Sequence, residues 1–400
     1  MGWLAAFVIL AAAITGCQER LTAPAECPEL CPGGESRMLD TVITPLANSD
    51  TSYVGYVARP SAGALLVSNG LPASEDRAVI RFNARADSIA VRDTLRAYTV
   101  DSALLGLNLI ARDTLVNGLK LYLYRIDPAV DVDATFESIT QQLIPAAIID
   151  SIEVPDSVNS GLVQTVLRGP DVEKVALPTG AGGILAIGVA MAADQPSGVR
   201  IGASAAGTGG TFISYVTIDV PDTGSIRRQS VTRAPAFNTF VTQSPQVPDD
   251  VFLTVGGEPS ARALLRFDLP EDIEDSATIV RATLELVPRS PMLGLPSDPA
   301  LLQAKALLAD LGAKSPVTTD ERFISSDTLA VGSADTVRLD MTPLVRLWQA
   351  ASERPEAVFL SLLPEAASFT RPVFGSTRSE TVGAPRLRIT YLKPFPFESP

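Results

Sequence analysis

From Arg77 to Asn83 the chain alternates, with Ala78, Ile80 and Phe82 set against Arg77, Val79 and Arg81. Leu284 and Leu286 alternate in the same way with Thr283, Glu285 and Val287. A period of two puts each set on one face of a half-buried strand. Runs of this kind recur along the chain, punctuated at short intervals by Gly, Pro, Asn and Asp. Helical spacing is confined to a few places. The best runs from Thr342 to Ala351, with Thr342 as N-cap, Pro343 at N1, and Leu344, Leu347, Trp348 and Ala351 on one face. Short antiparallel strands without crossover helices predict an all-β protein of face-packed sheets, not a parallel barrel.

The strand pattern repeats. Arg77-Ala78-Val79-Ile80-Arg81-Phe82-Asn83 answers Arg262-Ala263-Leu264-Leu265-Arg266-Phe267-Asp268, and Leu65 to Gly70 answers Phe252 to Gly257. Leu119 to Asp127 answers Ala304 to Asp310, and Asp171 to Leu177 answers Asp335 to Met341. Four pairs in one order point to a duplicated domain. The expected organisation is a first sandwich over 38–222, a linker over 223–239, a second sandwich over 240–393 and a tail over 394–400. Each copy is then long enough to fold alone.

The second copy resembles the DNRLRE-type domain. The resemblance rests on Asp250 to Gly257, Arg262 to Pro270, Ala277 to Val287, Val337 through Trp348, Phe374-Gly375-Ser376 and Pro385 to Tyr391. The first copy is similar over Asp50 to Val54, Ala64 to Gly70 and Arg77 to Asn83, and lacks the Trp-bearing helix. The resemblance implies two tandem jelly-roll-like antiparallel β-sandwiches in a secreted or cell-surface protein. Some members of that family are described as carbohydrate-binding modules.

The first 16 residues stand apart. An uncharged apolar run from Trp3 to Ala13 is too short to span a bilayer and has the size of a signal-peptide core. Ile14-Thr15-Gly16-Cys17, which closes it, resembles the lipobox of bacterial lipoproteins, and that resemblance implies cleavage before Cys17 and acylation of its thiol. An ordinary buried helix is the competing reading. The expected address is the bacterial cell envelope, lipid-anchored at the outer membrane or cell surface, with 17–37 as a Pro- and Gly-bearing tether. Within the tether, Cys27 and Cys31 form an even pair that a Pro-directed turn could bring to disulfide distance.

Charge and composition then exclude more than they identify. With 45 acidic and 32 basic residues, a net charge of −13 disfavours phosphate backbones, so nucleic acid is not an expected partner. There is no His in the chain, which removes Ser-His-Asp and Cys-His catalysis, and two Cys without His cannot complete a zinc tetrahedron. An enzyme would have to use carboxylates, and no local motif fixes two of them. Asp268 and Asp340 read as strand-end carboxylates paired with Arg262 or Arg266. Gly207-Thr208-Gly209-Gly210 reads as a turn, because no Lys-Ser/Thr follows it. No cofactor, metal or catalytic residue is expected. Candidates for a ligand surface are Tyr53, Tyr56 and Trp348, and the helical spacing of Trp348 favours the core. The expected function is non-catalytic: binding, with carbohydrate a candidate, or envelope scaffolding beside polysaccharide or envelope proteins. A carboxylate-dependent glycosidase or lyase is the alternative.

Overall fold

A computed structural model of the protein describes residues 38–393, except 56, 73, 176–182, 221–224, 244–248, 259, 311–317 and 352. The apolar N-terminal run, Cys17, Cys27, Cys31 and the tether lie outside the described residues. The protein is all-β, with several antiparallel sheets and a few short helices.

Two strands open the described chain, β1 (Met38–Ile43) and β2 (Thr51–Val54). Next come β3 (Ala64–Asn69), β4 (Asp76–Phe82), a small hairpin of β5 (Ile89–Val91) and β6 (Thr94–Arg96), and the long β7 (Thr99–Arg112). They are followed by β8 (Lys120–Ile126), β9 (Ile148–Glu153), β10 (Gly161–Arg168), β11 (Ala186–Ala192), β12 (Ser197–Gly202) and β13 (Thr211–Val220). Then β14 (Ser225–Arg233) and β15 (Pro235–Thr242) lead to β16 (Phe252–Thr254), β17 (Ala261–Arg266), β18 (Thr278–Leu286) and β19 (Leu301–Ala309). The last five are β20 (Thr318–Thr328), β21 (Val337–Asp340), β22 (Ala357–Leu363), β23 (Val373–Gly375) and β24 (Arg386–Leu392).

The first sandwich packs the sheet β14-β13-β7-β12-β3, with β10 also on β7, against the sheet β15-β4-β11-β8-β9. Its core takes Leu65, Leu105, Leu107, Leu121, Leu123, Ile187, Val189 and Phe212 from both layers. The central strand β11, Ala-Ile-Gly-Val-Ala-Met-Ala, is apolar throughout because both of its faces are covered. The inner face meets the core, and the helix Phe136–Thr140 lies over the outer face with Phe136 and Ile139.

The second sandwich repeats the strand order. Its inner layers are β2-β17-β22-β19-β20 and β1-β24-β18-β21, with β16-β23 continuing the latter through the bridge Pro288 to Phe374. Strand for strand, β17, β22, β19 and β20 take the places of β4, β11, β8 and β9, while β18 and β24 take those of β7 and β13. Three of the four matched segments therefore occupy equivalent strands. The fourth does not: Asp171 lies in the 3-10 turn Gly169–Lys174, whereas Asp335 leads into β21, whose counterpart is β10.

The copies are interlocked at their edges, and here the structure corrects the expected boundaries. Of the linker expected over 223–239, the described residues from 225 on are not a linker: β14 pairs with β13 and β15 pairs with β4, which completes both sheets of the first sandwich. Nor do β1 and β2 belong to the first sandwich. β1 pairs with β24 along all six of its residues, from Met38 opposite Leu392 to Ile43 opposite Leu387, and β2 pairs with β17. Thus β1 and β2 do for the second sandwich what β14 and β15 do for the first. The first sandwich is a continuous stretch inserted between the N-terminal strands of the second and the rest of it. A piece spanning 240–393 lacks both strands.

Further contacts fix the N-terminal strands. Asp50 is fully buried and accepts from the Thr377 N–H (2.7 Å) and hydroxyl (2.6 Å), with Arg378 at 3.5 Å. The Thr254 N–H donates to the Ser52 hydroxyl (2.7 Å), and Arg266 donates to the Ser49 carbonyl (2.9 Å). In β1, Leu39 and Ile43 turn toward the second core while Met38, Asp40 and Val42 face outward, so the strand's period of two places it correctly on this edge.

Candidate functional site

Trp348 is a core residue. It is buried on the helix Thr342–Ala350 with its ring 6.2 Å from that of Phe267, and its indole N–H finds no partner among the described residues. The helix begins one residue earlier than its sequence suggests, with Met341 at the N-cap. The Thr342 hydroxyl does not cap it. Asp340 accepts from the Thr342 N–H (3.0 Å) and hydroxyl (2.6 Å), and that hydroxyl in turn accepts from the Ala282 N–H (2.9 Å). Tyr53 is half-buried on β2 and packs with Leu264 and Phe359, beside Arg266, and so is not an exposed platform. Tyr56 lies outside the described residues. The arginines expected to pair with Asp268 and Asp340 take other partners: Arg262 binds Glu365, and Arg266 binds Asp310 (2.9 Å). Glu365 lies in the loop after β22 and Asp310 just past the end of β19, so both partners come from outside the matched heptapeptide.

Two places gather polar side chains that the sequence left scattered. One is the junction of the sandwiches, where the equivalent sheet-to-sheet connections β3–β4 and β16–β17 meet. Asp76 opens β4 fully buried and accepts from the hydroxyls of Ser68 (2.8 Å), Ser74 (2.8 Å) and Thr242 (2.7 Å). Burial pushes its carboxyl above the usual range in spite of those bonds. Glu258 follows Gly256 and Gly257, whose φ of +69° and +73° makes the turn, and it takes the Arg59 guanidinium at 2.6 Å. Its carboxyl is also pushed up, by burial first and then, more weakly, by the nearby Asp76 charge. Between these connections is a cavity of about 20 Å³ lined by Ser74, Glu258, Ser368, Phe369 and Arg371 among others, room for one water. Phe369 of the second sandwich lies on Gly198 of β12, where a Cβ would come within 2.8 Å of its ring, and Arg200 binds Asp298 across the same junction (2.6 Å).

The other place is open. Across the outward face of β18, β21 and β24 stand Arg281, Arg338, Arg386 and Arg388, all exposed. Glu285 lies among them, 3.6 Å from Arg338 and 4.0 Å from Arg388. A bulge in β18 sets Val280 and Arg281 against one position of β24, and both side chains are exposed. Beside it is a depression of about 700 Å³ whose lining includes Val280, Arg281, Arg338, Thr342, Pro343 and Arg346. Arg346 is held in place by two bonds to the Ile279 carbonyl, at 2.6 and 3.2 Å. Its residues come from two strands and a helix, so no local spacing announced it; the Val-Arg-Leu-Asp strand was legible, the bulge was not.

The described residues contain no cluster of three His, Cys, Asp or Glu able to hold a metal ion, and no helix long and apolar enough to cross a membrane. In comparison with known proteins, no family model and no curated protein matches the chain.

Proposed function

We propose that this chain is a non-catalytic, lipid-anchored envelope protein built on two DNRLRE-like sandwiches, acting as a binding or scaffold module with carbohydrate as the candidate ligand. The observation that supports it most is the place of β1. The segment expected to lead from the lipid anchor enters a strand bonded along its whole length to the last strand of the second sandwich, and the first sandwich is held between. A load on the tether would then enter the sheet of the second sandwich through β1, which suits a protein that holds something at a surface.

One observation favours the enzymatic alternative: Asp76 and Glu258 both hold their protons more tightly than usual, each chiefly through burial, and the Asp76 charge adds weakly to the shift of Glu258. Raised carboxyl pKa values are what an acid catalyst needs. The cavity beside them is too small for a sugar ring, and each has a structural partner, so we assign them to holding the junction.

Two measurements test the proposal. Intact mass of the membrane-fraction protein should show an N-terminus at Cys17 carrying acyl chains, and Cys17→Ser should abolish that mass; an unlipidated wild-type N-terminus overturns the anchor. Incubation with a polysaccharide panel should give retention without new reducing ends or unsaturated products. Turnover lost in Asp76→Asn or Glu258→Gln would establish the enzyme instead.

A further inference from the structure

We infer that the outward face of β1, β24, β18 and β21 lies on the membrane that holds the anchor, its arginines set against the phosphates of anionic phospholipids. The inference rests on the lipid-anchored reading above and specifies which surface of the protein the membrane meets. The tether expected over 17–37 leads into this sheet, because the residue after it, Met38, opens β1. β1 is an edge strand of the sheet, so the tether joins the face at its border.

The face carries a positive excess on an acidic protein. Arg281, Arg338, Arg346, Arg386 and Arg388 stand on it with Asp40, Glu285 and Asp340, in a chain whose net charge is −13. Each of those carboxylates is already engaged. Asp40 accepts from the Thr390 hydroxyl (2.5 Å), Asp340 accepts from the Thr342 hydroxyl (2.6 Å), and Glu285 lies between Arg338 and Arg388. At the rim Lys393 pairs with Asp272 of the short acidic helix before β18 (2.5 Å). By contrast, the side chains of Arg281 and Arg386 have no partner among the described residues. A guanidinium fork meets a phosphate through two parallel bonds. Each such group near an anionic leaflet strengthens adsorption by about fivefold. The acidic remainder of the protein is repelled by the same leaflet, which turns this face toward it.

Apolar side chains gather where the chain enters. Met38, Leu392 and Thr278 form one row across β1, β24 and β18, and Val42 and Val280 follow on the same face. Met38 is 61% exposed, Val42 47% and Val280 43%. Arginines around a small apolar group suit a surface that rests among headgroups without entering the bilayer core. A modest attraction suffices, because the anchor holds the face at a high effective concentration over the bilayer. A second copy of the chain is a poorer occupant, since a two-fold contact would set these arginines against themselves and one acidic body against another.

Fluorescence of the acylated chain reconstituted in vesicles tests this. A label on Thr278→Cys reports this face, and one on Ser326→Cys reports the outward face of the opposite sheet, both with Cys27→Ser and Cys31→Ser. Quenching by a nitroxide-headgroup lipid requires near contact. It should be strong at position 278 and weak at 326 in vesicles containing phosphatidylglycerol, and weak at both in phosphatidylcholine alone. Raising sodium chloride from 0.1 to 0.5 M, on the order of a halving of the screening length, should remove the quenching at 278 without releasing the protein from the vesicles. Arg281→Gln with Arg386→Gln breaks no side-chain contact among the described residues and should keep the melting temperature. It should lower the ratio of docked to undocked protein by about fivefold for each arginine. Arg168→Gln with Arg228→Gln, on the matching face of the first sandwich, should quench as wild type. The salt arm decides the matter even if the arginine variant fails to fold. Quenching at 278 that is equal in the two kinds of vesicle, independent of salt, or unchanged in the folded variant would overturn the docked face and leave the anchor standing. Cross-linked dimers through position 278 without quenching there would give the face to a second copy instead. Failure of the protein to float with phosphatidylcholine vesicles would remove the anchor, and this inference with it.

Discussion

The two sandwiches share a strand order and differ in how they are closed. The first takes its last two strands from the residues that follow it directly, β14 and β15; the second takes them from the other end of the chain, β1 and β2. Their cores differ in a matching way. Phe82 and Phe267 hold the same position of the duplicated heptapeptide, at the end of β4 and just after β17, but Phe82 meets the strand residue Phe212 (5.5 Å) where Phe267 meets Trp348 of a helix. Their outward faces diverge most. The first sets Leu162, Val166 and Tyr215 among its exposed arginines, such as Arg168 and Arg228, where the second gathers Arg281, Arg338, Arg386 and Arg388. Duplication has kept the hydrogen-bonded frame and the inward positions, where change is costly, while the solvent-facing side of each strand has been free to differ.

Removal of 38–54 should break this comparison most severely. Without β1 and β2 the second sandwich exposes β24 and β17 as bare edges, which invite aggregation, while the first keeps all its own strands. Calorimetry should show the second sandwich's transition lost and a weakened first transition retained. A permuted chain with 38–54 joined after residue 393 and the native start at 57 should restore both. Two transitions in the truncated protein would mean that the N-terminal strands are dispensable.

The core pairs come next. Phe212→Ala and Trp348→Ala should each cost about 3–5 kcal/mol, the first in the first sandwich and the second in the second, read from denaturant midpoints. Trp348→Phe should cost far less than Trp348→Ala, since it keeps much of the ring's packing and removes an indole N–H that has no partner among the described residues. If Trp348→Ala instead keeps the midpoint and loses glycan retention, the residue is a binding platform.

A smaller effect is expected at Asp50. Asp50→Ala strips the Thr377 N–H and hydroxyl and Arg378 of a buried acceptor and should destabilise the second sandwich alone by about 1–3 kcal/mol. Hydrogen exchange should show faster opening in 38–54 and little change in β14 and β15.

The smallest effect concerns pH. Asp76 and Glu258 bind protons more tightly when folded than the ordinary carboxylate values of 3.8 and 4.5, because burial disfavours their charged forms. Their contribution is therefore fully present below those ordinary values and is lost as pH rises through the higher folded ones. Stability should fall over that interval, and Asp76→Asn should flatten the fall. A midpoint that rises across the same interval in the wild type and not in Asp76→Asn would reverse the assignment.

The sequence by itself determined the periodicity, and with it the strands, the all-β class, the buried side of the Trp348 helix and most of the duplication, because these depend on which side chains one short segment must bury. Three of the matched segments occupy equivalent strands for that reason. Only the tertiary structure decided which sandwich each pair of edge strands completes. Neither β1 nor the largely polar β14 carries a pattern that names its partner edge, and the choice falls to the connections and to distant partners such as Thr377 for Asp50. The same holds for the polar groupings. Asp76 and Glu258 lie 182 positions apart, and Arg281, Arg338 and Arg346 come from separate elements. What brings them together is the packing of sheets and a single bulge, and neither leaves a spacing in the chain.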